Sequence, residues 1–157
     1  RVSRRLILDL ACGGKGASNA VRSSSSFRRR SRRSGLKSPV PRVAKMAPMA
    51  RELLAKYGFE SVDIAPVAEK AKNSNLQSCG FCDAAFAREL GAKYAVTGTV
   101  QKVSNLILNI NLYFRNAETN AMEKVGSVDI RGNTDESWFR GLKYLVKNRL
   151  FKGVAPQ

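Results

Sequence analysis

The chain has 157 residues, of which 43% are hydrophobic, and its 28 Lys and Arg against 12 Asp and Glu give a formal charge of +16. This length and composition are typical of one globular domain, and no apolar run approaches the roughly 18 residues that a membrane-spanning helix needs. The sequence contains no His, which excludes Ser–His and Cys–His nucleophiles and removes the commonest metal ligand.

The positive charge is concentrated in the amino-terminal third. Residues 1–51 hold 14 Lys and Arg and a single acid, Asp9, for +13, whereas residues 52–157 hold 14 Lys and Arg and 11 acids, for +3. The larger part is therefore close to balanced. We predict a basic segment over 1–42, a folded α/β domain over 43–152 and a tail over 153–157.

The composition of the basic segment is not typical of a folded domain. Residues 11–42 lack acids and contain runs of Ser and Arg, so we expect disorder there. Three interpretations stay open: a basic arm for nucleic acid or anionic lipid, a solvated tail without a role, and out-of-frame translation.

The apolar run at residues 6–12 has two further interpretations. It imitates a secretion signal, but it is short and contains Asp9, which also argues against Cys12 as a lipid anchor. With the glycines up to Gly16 it resembles the first motif of methyltransferases that use S-adenosylmethionine. The acid that such a site needs after the next strand is missing, so we reject that function.

Apolar spacing predicts the elements of the first half of the domain. Apolar residues recur at helical spacing after Pro48, which predicts a helix over 48–57 that ends at Gly58. A short strand over 59–64 and a helix over 65–73 follow. Another helix is expected over 82–90.

The second half predicts three strands, over 93–103, 105–115 and 122–131, and a final helix over 135–151 with an apolar stripe. The strand over 105–115 has the clearest pattern, because apolar residues alternate with more polar ones and indicate one core face. Its core-facing residues are Leu106, Leu108, Ile110, Leu112 and Phe114. Together these elements predict one layered α/β domain with a mixed, mostly antiparallel sheet.

Cys79 and Cys82 form a CxxC pattern at a predicted helix start. Two thiols at this spacing can close a disulfide, stay reduced or supply half a metal site. Zinc needs four ligands and only Cys12 remains, so we predict no metal and no cofactor. A thioredoxin-type enzyme normally adds a proline loop after the motif, and none lies between Pro66 and Pro156. A structural disulfide is preferred, and it requires an oxidising compartment.

Two polar clusters are candidate ligand-binding sites. The first is the polar face of the sheet, because two Asn in one strand suggest side chains kept for hydrogen bonding, with a merely hydrated face as the alternative. The second is the corner over 131–138, where backbone N–H groups could hold an anion. Capping by Asp135 and Glu136 is the simpler explanation of that corner. The candidate residues are Gln101, Asn105, Asn109, Asn111, Asp129, Arg131, Asn133 and Trp138. No pair of carboxylates stands out as acid and base, so no catalytic residue is predicted.

Residues 44–151 resemble a family of exported proteobacterial proteins of unknown function. The resemblance rests on CGFCD at 79–83, LGA at 90–92, TGTVQKVSNLILNIN at 97–111 and DIRGNTDESW at 129–138. Members look exported, with a signal peptide and a first strand before the helix near Met49. Neither is recognisable here, which favours a frame error or a truncation. At fold level the domain is similar to the amino-terminal domain of TolB and related envelope lipoproteins, which implies a periplasmic location.

These observations favour a non-enzymatic binding or assembly module of the periplasm or cell envelope, whose partner is an envelope protein or a small ligand. One alternative is nucleic-acid or anionic-surface binding through residues 1–42, which predicts steep salt dependence. The second alternative is a thiol–disulfide redox protein at Cys79 and Cys82, which predicts disulfide-exchange activity.

Overall fold

The computed structural model describes residues 4–13, 40–73, 79–104 and 106–156. They form one five-stranded sheet in the order β2–β1–β3–β4–β5. The strands are β1 (Arg4–Gly13), β2 (Phe59–Ser61), β3 (Tyr94–Lys102), β4 (Ile107–Asn116) and β5 (Met122–Arg131). The helices are α1 (Val40–Ala55), α2 (Ala68–Asn73), α3 (Cys82–Glu89) and α4 (Asp135–Leu145). A 3-10 turn, Ala65–Val67, precedes α2, and a π-helical turn, Val146–Leu150, follows α4.

The sheet is mixed, with two parallel and two antiparallel strand pairs. Strand β1 pairs in parallel with both β2 and β3, whereas β3 with β4 and β4 with β5 are antiparallel. The α/β fold predicted from the sequence is confirmed. The prediction of a mixed, mostly antiparallel sheet holds for most of the registered residue pairs, and β1, which was not predicted as a strand, adds the two parallel pairings.

Strand β1 corrects the prediction that the folded domain begins at residue 43. Leu6 and Leu8 are 0% and 1% exposed and lie in the main core, whereas Ile7 packs with Ala87 and Ala95 on the opposite face. A strand covered on both faces reads as a continuous apolar run and not as alternation. Residues 6–8 therefore form a continuous apolar start to the run that imitates a secretion signal. Residues 1–3 and 14–39 lie outside the described residues, so the disorder expected there stays a prediction.

Helix α1 begins earlier than expected. Pro48 was placed in its first turn, but the helix starts at Val40 and contains Pro48. Val43, Met46, Ala50 and Leu54 are buried at helical spacing, so the stripe that packs on β1 and β2 extends before the proline.

Helix α4 confirms the predicted final helix. Trp138, Leu142 and Leu145 are completely buried and face the sheet beside α1. The chain then continues through the π-helical turn to Phe151, whose ring stacks on Tyr57 with centroids 4.5 Å apart.

The alternation in β4 is confirmed for four of its five predicted core residues. Leu108, Ile110, Leu112 and Phe114 are at most 2% exposed. Leu106 is 71% exposed and precedes β4 in the turn from β3, so its assignment to the core is wrong.

The two faces of the sheet are covered differently. Helices α1 and α4 share a core with one face. On the other face α3 covers one end, where Ala87 and Ala92 pack with Ala95 and Ala117. The candidate residues of β3, β4 and β5 lie on this second face.

Candidate functional site: the polar face of the sheet

Strand register places the predicted polar residues side by side. Gln101 of β3 pairs with Asn109 of β4, which pairs with Asp129 of β5. Since directly paired residues project from the same face, these three side chains form one row. The next row toward α3 contains Thr99, Asn111 and Ser127. We call these two rows the polar sheet face.

Asn109 is the centre of a hydrogen-bond ladder. Its Nδ2 donates to Asp129 Oδ1 at 2.7 Å and to Ser127 Oγ at 3.0 Å. Its Oδ1 accepts from Nδ2 of Asn111. The ladder fixes the orientation of both amides, so the row presents a defined pattern of donors and acceptors.

The side chains of the polar sheet face differ in their exposure to solvent. Gln101, Ser127 and Asp129 are exposed, Asn109 and Asn111 are half-buried, and Thr99 is buried. The Thr99 Oγ1 atom has no hydrogen-bond partner among the described residues. Sequence reasoning missed Thr99 and Ser127, although each lies two positions from a candidate and so shares its face.

Arg131 lies at the margin of this face. It pairs with Ile107 one row beyond Asn109 and is exposed. Asn105 lies outside the described residues. The polar sheet face therefore brings together four of the candidates, with Arg131 beside them.

Asn133 and Trp138 lie elsewhere, in a link between α1 and α4. Asn133 Oδ1 accepts from the Trp138 indole N–H at 3.2 Å and from a guanidinium N–H of Arg42. Trp138 is completely buried. Their contacts hold the two helices together, and the structure does not bring them to the polar sheet face.

The start of α4 is occupied by its own cap. The Thr134 side chain accepts from the Ser137 N–H, and the Ser137 hydroxyl accepts from the Thr134 N–H, which is a reciprocal capping box. Asp135 accepts from Lys45 Nζ at 2.8 Å and from Arg42 Nε at 2.7 Å. These two cations, Lys45 foremost, lower the pKa of the Asp135 carboxyl.

The two CxxC cysteines are joined by a disulfide at the start of α3. Between them Phe81 has a left-handed backbone (φ 73°) and an exposed ring, with the Arg115 guanidinium 4.9 Å from its centroid. Arg115 Nε also donates to Asp83 Oδ2 at 3.0 Å. The disulfide loop is thus tied to β4 through Arg115.

In the described part of the chain, no group of three or more His, Cys, Asp or Glu side chains is placed to hold a metal ion. None of its helices combines the length and apolar character needed to cross a bilayer.

The fold and this polar face define an α/β domain with one helix-covered face and one partly open face. A family model named DUF3280 and described as "Protein of unknown function (DUF2380)" matches residues 27–150. Because this match covers most of the chain, the protein belongs to that family. No curated protein sequence matches the chain.

Solved structures share the fold at low sequence identity. The C-terminal domain of LpoB from Salmonella enterica is 15% identical with a TM-score of 0.52, over 82% of this chain and 83% of that chain. Lipoprotein GNA1162 from Neisseria meningitidis is 11% identical with a TM-score of 0.54, over 84% and 83%. The PelC dodecamer from Paraburkholderia phytofirmans is 10% identical with a TM-score of 0.52, over 99% and 89%.

These comparisons confirm two expectations from the sequence. The chain belongs to a family of unknown function, and its fold is similar to that of a lipoprotein. At such low identity the structural likeness shows the fold alone.

Proposed function

We propose that this protein is a non-enzymatic binding or assembly module of the cell envelope, and that its polar sheet face binds an envelope protein. The observation that carries the proposal is the ordered ladder around Asn109, on a sheet face that α1 and α4 leave uncovered. Oriented amides beside a carboxylate suit recognition, since they discriminate partners by hydrogen-bond pattern.

The fold supports an envelope location. One protein that shares it is a lipoprotein and another is a dodecamer. The Cys79–Cys82 disulfide gives independent support, because disulfides persist in oxidising compartments such as the periplasm.

The shape of the site supports a protein partner. Its two rows extend over three adjacent strands, which is roughly 10 Å across the sheet. Small molecules usually bind in concave, mostly apolar pockets, whereas a broad polar surface suits the wetter interfaces between proteins. The absence of His from the sequence removes the commonest general base and supports a module without catalysis.

Site-specific photo-crosslinking in cells tests this proposal. A photoreactive residue at position 101, on the polar sheet face, should give a discrete adduct with one envelope protein. The matched control carries it at position 143, which is exposed on α4. An adduct from position 143 alone, or no adduct from either position, would contradict the proposal.

A further inference from the structure

The turn between β3 and β4 exposes aliphatic side chains that the domain does not cover. Val103, Leu106 and Ile107 are 65%, 71% and 37% exposed. They follow one another closely at one end of the sheet, so they form a small apolar tip, which we call the hairpin tip. Single exposed apolar residues are ordinary on a protein surface, but several of them at one turn indicate a contact site.

The backbone of the hairpin tip is held in place. The Ser104 hydroxyl accepts from the N–H groups of Leu106 and Ile107 at 3.3 and 3.1 Å. The N–H groups of Val103 and Ser104 both donate to the Ile107 carbonyl at 3.0 Å. The Leu106 carbonyl accepts from Gly132 N–H at 2.8 Å. The backbone that carries these three side chains is therefore hydrogen-bonded, which lowers the entropic cost of forming a contact.

Two positively charged side chains lie beside this tip. Lys102 and Arg131 are exposed beside it, and Arg131 pairs directly with Ile107. Strand β1 ends at the same end of the sheet, where Gly13 pairs with Gln101.

The most basic part of the sequence is attached to this end of the sheet. Helix α1 begins there too, because Arg42 in its first turn reaches Asp135 just after β5. Residues 14–39, which connect β1 to α1, contain eight Lys and Arg and no acid. Both points of attachment therefore lie beside the apolar tip.

We propose that the hairpin tip docks on an anionic lipid bilayer surface. The aliphatic side chains enter the boundary between headgroups and acyl chains, while the neighbouring cations stay at the headgroups. Nucleic acid fits less well, because the described tip offers no aromatic ring for base stacking. This surface is distinct from the polar sheet face, so it goes beyond the proposed function and leaves that face free for a protein.

Co-sedimentation of the full chain with vesicles tests the proposal. Binding to phosphatidylglycerol–phosphatidylcholine vesicles should exceed binding to phosphatidylcholine vesicles by at least about tenfold, because each basic residue near an anionic surface adds to affinity. Added salt should reduce that excess, since it screens the charges.

Three variants and two matched controls separate the apolar and charged contributions. Leu106→Ser and Val103→Ser should each weaken vesicle binding by about tenfold, as expected for withdrawing one aliphatic side chain from an apolar phase. Val154→Ser should leave binding unchanged, because Val154 is a similarly exposed valine beyond α4. Lys102→Glu should weaken binding to the anionic vesicles, whereas Lys152→Glu should have a smaller effect.

These side chains are all exposed, so the variants should have the same unfolding midpoint as the parent chain. A loss of vesicle binding can therefore be distinguished from misfolding. Equal binding by Leu106→Ser and the parent chain would overturn the proposal. No vesicle binding by the parent chain, or retention of a protein on the tip in place of lipid, would overturn it as well. None of these outcomes affects the crosslinking result at position 101, which tests the polar sheet face separately.

Discussion

Asp83 is a carboxylate that the fold buries beside the disulfide. It is 2% exposed and its ion pair with Arg115 has a distance of 3.0 Å. Its Oδ1 atom has no partner among the described residues. Among the described side chains, Arg115 is therefore the one that compensates the charge of Asp83.

Removing Arg115 should destabilise the domain strongly. Arg115→Met should lower the free energy of unfolding by about 3–5 kcal/mol, because it leaves a buried charge unpaired. Lys70→Met, which breaks the half-exposed pair with Glu89, should cost less than about 1 kcal/mol. Urea unfolding of both variants measures the difference, and equal losses would show that the Asp83 charge is not held in a buried environment.

Asp135 makes the stability of the domain depend on pH. The hydrogen bonds from Lys45 and Arg42 lower its pKa in the folded state. Its contribution to stability is therefore complete above the unfolded-state pKa of about 3.9 and is lost as the pH falls through the lower folded-state value. The stability difference between the parent chain and Asp135→Asn should shrink as the pH is lowered below about 4. Unfolding midpoints measured from neutral to acid pH test this, and a difference independent of pH would contradict it.

Among the secondary-structure elements, β1 and the hairpin tip are where the sequence interpretation and the structure differ most. Leu8 was placed outside the folded domain and Leu106 inside its core, and the structure gives them 1% and 71% exposure. Substituting Ala at both positions distinguishes the burial seen in the structure from the burial expected from the sequence. Leu8→Ala should cost about 2–5 kcal/mol of unfolding free energy, and Leu106→Ala should stay within about 0.5 kcal/mol. The opposite order would favour the domain boundary expected from composition.

The contact between α4 and β5 depends on Gly141. A Cβ added there would lie 2.3 Å from Ile130 Cγ2, so α4 could not pack this closely against the sheet. Gly141→Ala should destabilise the domain by about 1–3 kcal/mol through overpacking, despite a gain of about 1 kcal/mol in helix propensity.

A double-mutant cycle separates the packing effect from the helix propensity. In an Ile130→Ala background the clashing methyl is gone, so Gly141→Ala should cost much less than it does in the parent chain. Thermal unfolding of the four chains gives the coupling. Purely additive effects would mean that the two side chains do not meet.

For the whole molecule, the sequence predicted the elements of the second half well, because hydrophobic periodicity and caps are local. Strand β5 has the bounds expected for it, and β4 shows the expected alternation. Composition misplaced β1, since a doubly covered strand lacks alternation and stands next to a basic segment. The sequence could not show that α1 and β1 share a core, which only the sheet order determines.

The candidate site was only partly predictable. Alternation correctly placed Gln101, Asn109, Asn111 and Asp129 on one face, because it fixes the direction of side chains along a strand. The ladder that joins Asn109 to Asp129 depends on the β4–β5 register, which the bulge between Phe114 and Arg115 shifts. The corner at Asn133 could not be interpreted correctly, since its partner Arg42 is distant in sequence.

The effect of the Asn109 ladder on crosslinking tests the central claim most directly. The chain carrying the photoreactive residue at position 101 is compared with the same chain bearing Asn109→Ala and Asn111→Ala. If the polar sheet face binds an envelope protein, the adduct should fall by at least about tenfold, since a loss of about 1.4 kcal/mol in binding is enough. A control with Lys143→Ala should keep it. An adduct of unchanged intensity in the double variant would contradict the account.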